Sequence, residues 1–518
     1  MTEERPVPAF PIGGWNPNRS QFRVLYSGAV PKFLAVSLFL FLAQTAVWPC
    51  TIVSGVAANG VVWAGNNEDF IFDFDTYLNV LPPDRGKFGA MFFTYGGPAN
   101  FPQGGMNEKG LFFDLNAIPE VQREGYRDYE KRRAFPGGDT ALLLHMLQTS
   151  ATVNDALALL EQFRFDDLFG EQIHLADRSG ALAVVTAQGV VRPQQRNFQV
   201  STNFNLATQL NAPEGQACWR FPIANRILGS QGVSFESIRS TLDATQQPRG
   251  TSTIYSNIMN LTTGEMYLYY AGDFESAKHF SWTDLMTLTP RSVLMRSLFP
   301  DAPIVQMYEI DKAQGPDAAL KLFSQLRPRI AERRRGEVLR HLFLNALLKM
   351  YRYSDARAYF NGWVSEAGGT DPSRPGYQGL VALANGDVDA AKSAFEEQAQ
   401  SSGIDGWDER ARRYLKRLSG TPSPESTVTL QLSGFRDARF VAVEGITEAA
   451  TYSFLVRTST GWSGDFRVPP GKLRYAFIVD GKRILDPVNS RQEDKWDQDG
   501  TRRFSVQVIG TSSASHLH

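Results

Sequence analysis

The dipeptide Asn59-Gly60 constrains this chain more tightly than any other pair in it. Asn-Gly between β-type runs predicts a two-residue hairpin loop, because both residues tolerate positive φ. With 59 and 60 as the loop, residue 58 faces residue 61. Running that register outward sets Cys50 opposite Asp69. A β-bulge would shift the pairing by one residue. The first strand is then Cys50-Thr51-Ile52-Val53-Ser54-Gly55, with a thiol at its start and a carboxylate beside it.

What precedes Cys50 gives that thiol its meaning. Phe33 to Ala46 is apolar, with Lys32 just before it and Arg19 and Arg23 further back. About 14 residues is short of the roughly 20 a spanning helix needs, so the segment reads as a secretion signal. Export to the periplasm or the exterior follows, with an uncleaved membrane anchor as the alternative. A cut after Ala46 leaves Val47-Trp48-Pro49 ahead of Cys50. A second, self-catalysed step would expose Cys50, so residues 1–49 read as leader and propeptide. Thiol and α-amine would then share one residue. Their reference pKa values are about 8.5 and 7.7–8.0, so a neutral amine can take the thiol proton near pH 7. The thiolate attacks an amide carbonyl and the protonated amine serves the leaving group. A neighbouring carboxylate orients that amine.

Composition narrows the alternatives. A chain of 518 residues, 42% hydrophobic, has material for several domains. With 53 basic and 54 acidic residues, it carries no nucleic-acid footprint. Two cysteines, Cys50 and Cys218, exclude a disulfide scaffold; with Cys50 catalytic, Cys218 is expected to be unpaired and buried. No HExxH, CxxC or P-loop motif occurs, so no metal or organic cofactor is implied.

Three regions follow the leader. Residues 50–290 mix short β runs (Val61-Val62-Trp63-Ala64, Ala90 to Tyr95, Thr253 to Ile258) with helical stretches at Thr140–Leu147 and Val153–Phe163, which predicts an α+β domain. Residues 300–420 take a helical period. Tyr377 to Gln400 reads as helix–turn–helix about Gly386-Asp387, with tetratricopeptide-like spacing, and Asp355 to Phe360 ends a weaker unit. The Arg333-Arg334-Arg335 run reads as a solvated face. After the Thr421-Pro422-Ser423-Pro424 linker the period becomes two. Val428, Leu430 and Leu432 share one strand face and Tyr475, Phe477 and Val479 another, which predicts a β-sandwich over 424–510 before a polar tail from Thr511 to His518.

Several stretches of 50–275 resemble, in order, the choloylglycine hydrolase, penicillin V acylase and acid-ceramidase-like group of cysteine N-terminal-nucleophile (Ntn) hydrolases. They are Cys50-Thr51, Gly65-Asn66-Asn67-Glu68-Asp69-Phe70, Gly105-Met106-Asn107-Glu108-Lys109-Gly110-Leu111, Leu115-Asn116, Ser201-Thr202-Asn203-Phe204, Trp219-Arg220-Phe221 and Thr253-Ile254-Tyr255-Ser256-Asn257 with Tyr267 to Tyr270. The resemblance implies a four-layer αββα core that hydrolyses a linear carbon–nitrogen amide through a thioester, acting on a small N-acyl amide. It implies Cys50 as nucleophile and, through its amine, base. Asp69 would hold the amine. The Asn203 side chain and the Asn116 backbone N–H would face the oxyanion, and Arg220 would sit near the nucleophile. The group's bile-salt and penicillin members carry arginine where this chain has Asn66, a substrate-facing position that cannot supply positive charge here. That weakens a bile-salt reading and leaves generic amide hydrolysis. A homo-oligomer is also implied.

Two other functions share these residues: an acyltransferase on the same site, and a non-catalytic scaffold with a degenerate Ntn domain. A serine–histidine triad is a poor competitor, since His145 and His174 sit in helix-like and strand-like apolar settings. The C-terminal stretch Gly461-Trp462, Val468 to Gly481 and Asp486-Pro487 resembles glycogen-recognition carbohydrate-binding modules. The places of that family's stacking tryptophans hold Ile446-Thr447-Glu448 and Lys482-Arg483, so glycan contact is weakened; Trp462 and Trp496 are the remaining candidates. The helical region suggests a protein partner.

Overall fold

The computed structural model describes residues 50–509, apart from 71–74, 120, 122, 124–125, 210–217, 248–251, 350–351, 368–370, 402–406, 421–427, 449–450, 467, 469–470 and 498–499. The leader, the 421–424 linker and the 511–518 tail lie outside the described residues.

The hairpin forms between β1 (Thr51–Val56) and β2 (Val62–Phe70), but its register corrects the expectation by one residue. Val56 pairs with Val62 and Thr51 with Asn67. Gly60 alone in the loop has positive φ, at 83°, and its N–H donates to the Ala57 carbonyl at 2.9 Å. Asn59 therefore sits in an ordinary turn followed by a left-handed glycine, the bulged three-residue hairpin, instead of a two-residue loop with two positive φ values. The extra residue slides β2 by one step. Asp69 loses the place opposite Cys50, and continuation of the register brings Glu68 there.

β1 and β2 belong to an antiparallel six-stranded sheet in the order Phe198–Ser201, β1, β2, Ser252–Asn260, Glu265–Tyr270, Lys278–Phe280. An eight-stranded sheet contains β3 (Thr76–Leu81), β4 (Ala90–Tyr95), β5 (Pro102–Asn107) and β6 (Phe112–Ala117). Its order is Gly189–Val191, Leu182–Thr186, Glu171–Ala176, β6, β5, β4, β3, Ser292–Leu294. Side-chain alternation decides which faces meet. Ile52, Val62 and Ala64 share one buried cluster with Leu78, Met91, Phe93 and Phe112 from the other sheet. The opposite residues go outward. Phe92, Phe113 and Ile173 pack on helices Gly138–Thr149 and Val153–Gln162. Val53, Val200 and Ile258 pack on Arg220–Gln231 and Phe235–Ala244. Gly105 lies where the chains pass closest: a Cβ there would stand 2.3 Å from the Met91 carbonyl oxygen.

Helices follow: Pro303–Gln314, Pro316–Leu326, Glu332–Leu344, Tyr353–Ala367, Arg374–Ala384, Val388–Ala399 and Trp407–Leu418. The arginine run is a solvated face only in part, at Arg333. Arg333 pairs with Asp243, and buried Arg334 donates to the Ala271 carbonyl of the β-rich region. Burying that guanidinium against a carbonyl ties the helices to the sheets.

Beyond 427 a three-stranded sheet (Val428–Ser433, Gly461–Phe466, Val456–Arg457) faces a larger one containing Val441–Glu448, Gly471–Val479 and Gly500–Ile509. Leu430, Leu432, Trp462, Val443, Tyr475 and Phe477 fill one cluster between them. Ala442 and Ile478, which alternate with these, join the helical core instead, and the Tyr353 and Phe440 rings meet edge-on at 4.5 Å.

Candidate active site

Strand alternation sorts the polar residues around Cys50 into two layers. Cys50, Asn66 and Glu68 follow the spacing of Ile52, Val62 and Ala64 and lie between the sheets, with β6 contributing Asp114 and Asn116 in step with Phe112. Thr51, Asn67 and Asp69 turn the other way, Thr51 and Asp69 toward the Arg220 helix and Asn67 toward the Leu242 carbonyl of the neighbouring helix.

On the outer side, Arg220 is the hub. Its Nη1 donates to Thr51 Oγ1 at 3.1 Å and to Asp69 Oδ2 at 3.3 Å, and its Nη2 donates to Asn203 Oδ1 at 2.7 Å. Thr253 Oγ1 donates to Asp69 Oδ1 at 2.5 Å. Arg220 is 2% exposed and Asp69 fully buried. These bonds at both Nη atoms offset the cost of burying a guanidinium, while its Nε makes no hydrogen bond within the described residues. Burial pushes the Asp69 carboxyl up to about 8, against the pull of Arg220 and Thr253.

Asn203 joins the layers. Its Oδ1 also accepts from the Cys50 main-chain nitrogen at 2.7 Å, and its Nδ2 donates to the Ala117 carbonyl, next to Asn116, at 2.9 Å. The group holding the Cys50 nitrogen is thus Asn203, with Asp69 one step removed through Arg220. The structure brings Cys50, Asp69, Asn203 and Arg220 into one hydrogen-bonded network. Asn116 is fully buried, and neither side-chain polar atom makes a hydrogen bond within the described residues.

On the inner side, Cys50 Sγ donates to Glu68 Oε1 at 3.6 Å. Tyr95 Oη donates to that same oxygen at 2.5 Å, and Asn66 Nδ2 donates to Glu68 Oε2 at 2.8 Å. Asn66 therefore stands two residues from Glu68 on the same strand face and orients its carboxylate. Burial, then the Glu68 and Asp69 charges, hold the Cys50 thiol well above its ordinary value, while the Asp69 backbone N–H pulls it down. Burial raises Glu68, opposed by its three donors. Asp114 is raised well above the carboxylate range by burial and by Glu68. Glu171 is pushed up to about 8, again chiefly by burial.

His174 marks the far end of this polar layer. Its ring bonds Ser54 Oγ at 2.7 Å and Ser201 Oγ at 2.8 Å, crossing from one sheet to the other. Burial lowers its pKa to about 3, so it is a neutral tie. Asn107, from the Gly-Met-Asn-Glu stretch, spends its side chain on the Leu147 and Ser150 carbonyls and on the N–H groups of residues 109 and 111. That motif braces a turn against a helix end. Cys218 is a free thiol, half-buried instead of buried. Trp462 is core, with Nε1 donating to the Phe435 carbonyl at 3.0 Å; the Trp496 side chain lies outside the described residues.

Sequence reasoning missed Glu68, Asp114, Tyr95 and Thr253. Two of them carried a signal. Glu68 stands two residues from Asn66, and Asp114 two residues from Asn116, each on the same strand face. Tyr95 and Thr253 come from strands whose neighbours depend on sheet order.

No family model matches the chain, and no curated protein matches it. Among solved structures it is similar to penicillin V acylase from Agrobacterium tumefaciens, at 18% identity over 46% of this chain and 87% of that one, with a TM-score of 0.37. It is similar to a variant of conjugated bile acid hydrolase from Clostridium perfringens, at 14% identity over 45% and 93%, TM-score 0.35. It is also similar to the Caenorhabditis elegans ortholog of N-acylethanolamine-hydrolyzing acid amidase, at 18% identity over 41% and 93%, TM-score 0.31. At these scores the functional reading rests on the site itself. No helix among the described residues is long and apolar enough to cross a membrane.

Proposed function

We propose that this chain is an exported hydrolase of linear carbon–nitrogen amide bonds, with Cys50 as an N-terminal nucleophile. One observation carries the reading: the Cys50 nitrogen and Arg220 Nη2 converge on Asn203 Oδ1, each at 2.7 Å, while Sγ projects between the sheets. A main-chain nitrogen at the start of a strand is ordinarily spent on a ladder. Here a half-buried asparagine, itself fixed by an arginine–aspartate pair, holds it.

In the full sequence that nitrogen is the amide of the Pro49–Cys50 bond, a donor with no basicity. Removal of residues 1–49 turns it into an amine of pKa about 7.7–8.0. Asn203 Oδ1 takes one of its hydrogens and leaves a lone pair for the thiol proton. The thiolate adds to the substrate carbonyl, and the amine passes its proton to the departing amine product. Water then hydrolyses the thioester and regenerates the thiol. Asn203 Nδ2 and the Asn116 backbone N–H are assigned to the oxyanion. Asp69 acts as a positioning residue through Arg220.

The reading includes the finer architecture. Apposed sheets with a helix pair on each outer face support a four-layer αββα core over 50–290. The helix pairs of 300–420 support a tetratricopeptide-like region, and the two facing sheets support a β-sandwich over 424–510. Small N-acyl amides are the substrate class.

The test is release of free amine from a panel of N-acyl amides by the exported protein and by Cys50→Ala. Loss of turnover by at least about a thousandfold in the variant is expected. Equal turnover without the thiol would refute the assignment.

A further inference from the structure

The floor of the site is acidic. Glu68 is 3% exposed and Asp114 1% exposed, and neither has an ion-pair partner among the described residues. The nearby guanidinium, Arg220, lies on the other face of the sheet, spent on Asp69, Thr51 and Asn203. Around the two carboxyl groups, Asp114 Oδ2, Asn66 Oδ1, both side-chain atoms of fully buried Asn116 and the hydroxyl of Tyr255, itself 1% exposed, make no hydrogen bond within the described residues. Leaving such groups buried and unpaired is costly.

The backbone makes room for this arrangement. Gly104 on β5 pairs with Asp114 on β6, and a Cβ on residue 104 would stand 2.2 Å from Asp114 Oδ2. Glycine there lets the carboxylate lie flat against the neighbouring strand. The Tyr95 and Asn66 donors hold Glu68 as an acceptor, with Oε1 3.6 Å from Cys50 Sγ. Any acyl carbon bonded to Sγ is therefore within a few bonds of Glu68.

We propose that the substrate of this site carries an ammonium group close to the scissile amide, held between Glu68 and Asp114. Such a group has three N–H donors and no acceptor. It would fill the unpartnered oxygens of Asp114 and Asn66 and offset the charge of two carboxylates in one step. Burial raises both carboxyl groups, and the Glu68 charge raises Asp114 further. The inference rests on the amidase reading of Cys50 for the position of the reacting carbon, but its test does not need turnover.

The experiment is calorimetric binding of butylammonium, with 1-butanol and butyrate as the neutral and anionic matches, to the full-length protein, Glu68→Gln and Asp114→Asn. Butylammonium is expected to bind at least about tenfold more tightly than 1-butanol, with butyrate weakest, and each variant should lose that selectivity. Equal affinity for the ammonium and the alcohol overturns the inference. So does a preference that survives in both variants. Turnover is read separately, with gamma-aminobutyryl and pentanoyl para-nitroanilides. Hydrolysis of either anilide without ammonium selectivity upholds the amidase and sinks the ammonium site. Selective binding without Cys50-dependent hydrolysis does the reverse.

Discussion

Glu68 Oε1 accepts a hydrogen bond from the Cys50 thiol at 3.6 Å, and both groups are buried between the two sheets. A carboxylate at that distance opposes formation of a thiolate, because two negative charges would share one apolar layer.

Replacing Glu68 by Gln removes one of the three neighbouring charges that raise the thiol. The pH dependence of Cys50 alkylation by iodoacetamide should move to lower pH in the variant. An unchanged or higher midpoint would show that the carboxylate does not act on the sulfur. Burial, Asp69 and Asp114 still raise the thiol, so it should remain above its reference value.

Arg220 and Asp69 form a buried ion pair at 3.3 Å with side-chain exposures of 2% and 0%. Removing one partner of such a pair commonly costs about 3–5 kcal/mol, since the other charge is left uncompensated. Arg220→Gln should destabilise the fold on that scale in urea unfolding. Arg220→Lys retains the charge but cannot bridge Thr51, Asp69 and Asn203 at once, so it should hold stability better than activity. Equal activity in Arg220→Lys and the parent would remove the hub role from Arg220.

His174 gives a pH signature of stability. Its pKa is lowered to about 3 in the fold, against roughly 6.5 unfolded. The stability it contributes is complete above pH 6.5 and is lost as pH falls toward 3, because the unfolded chain takes the proton first. Between pH 7 and 4.5 that loss is on the order of 2 kcal/mol. His174→Gln should lower stability at pH 7 yet shrink the difference between pH 7 and 4.5. A variant that keeps the full acid dependence would assign it to other groups.

How far the sequence could be read follows from the reach of each signal. Local periodicity was enough for the strands near 61–64, 90–95 and 253–258, the helices near 140–147 and 153–163, the helix–turn–helix at 374–399 and the alternating strand Val428–Ser433, whose burial alternates as expected. The hairpin was legible but its register was not. Asn-Gly supports either loop type, and choosing between them depends on the φ of Asn59. That one residue exchanged Asp69 for Glu68 beside the thiol. Arg334 failed for a different reason: three arginines look solvated unless the carbonyl of Ala271, 63 residues away, is known to meet them. The linkage of Cys50 to Asn203 spans 153 residues, and only the family-like motifs hinted at it.

The most direct test of the account is N-terminal sequencing and intact mass of the fraction that hydrolyses an N-acyl amide. The account predicts that active chains begin at Cys50, with the amine free. An active chain that keeps Pro49, turning over at the rate of the cleaved one, would contradict it, because its Cys50 nitrogen could not accept a proton.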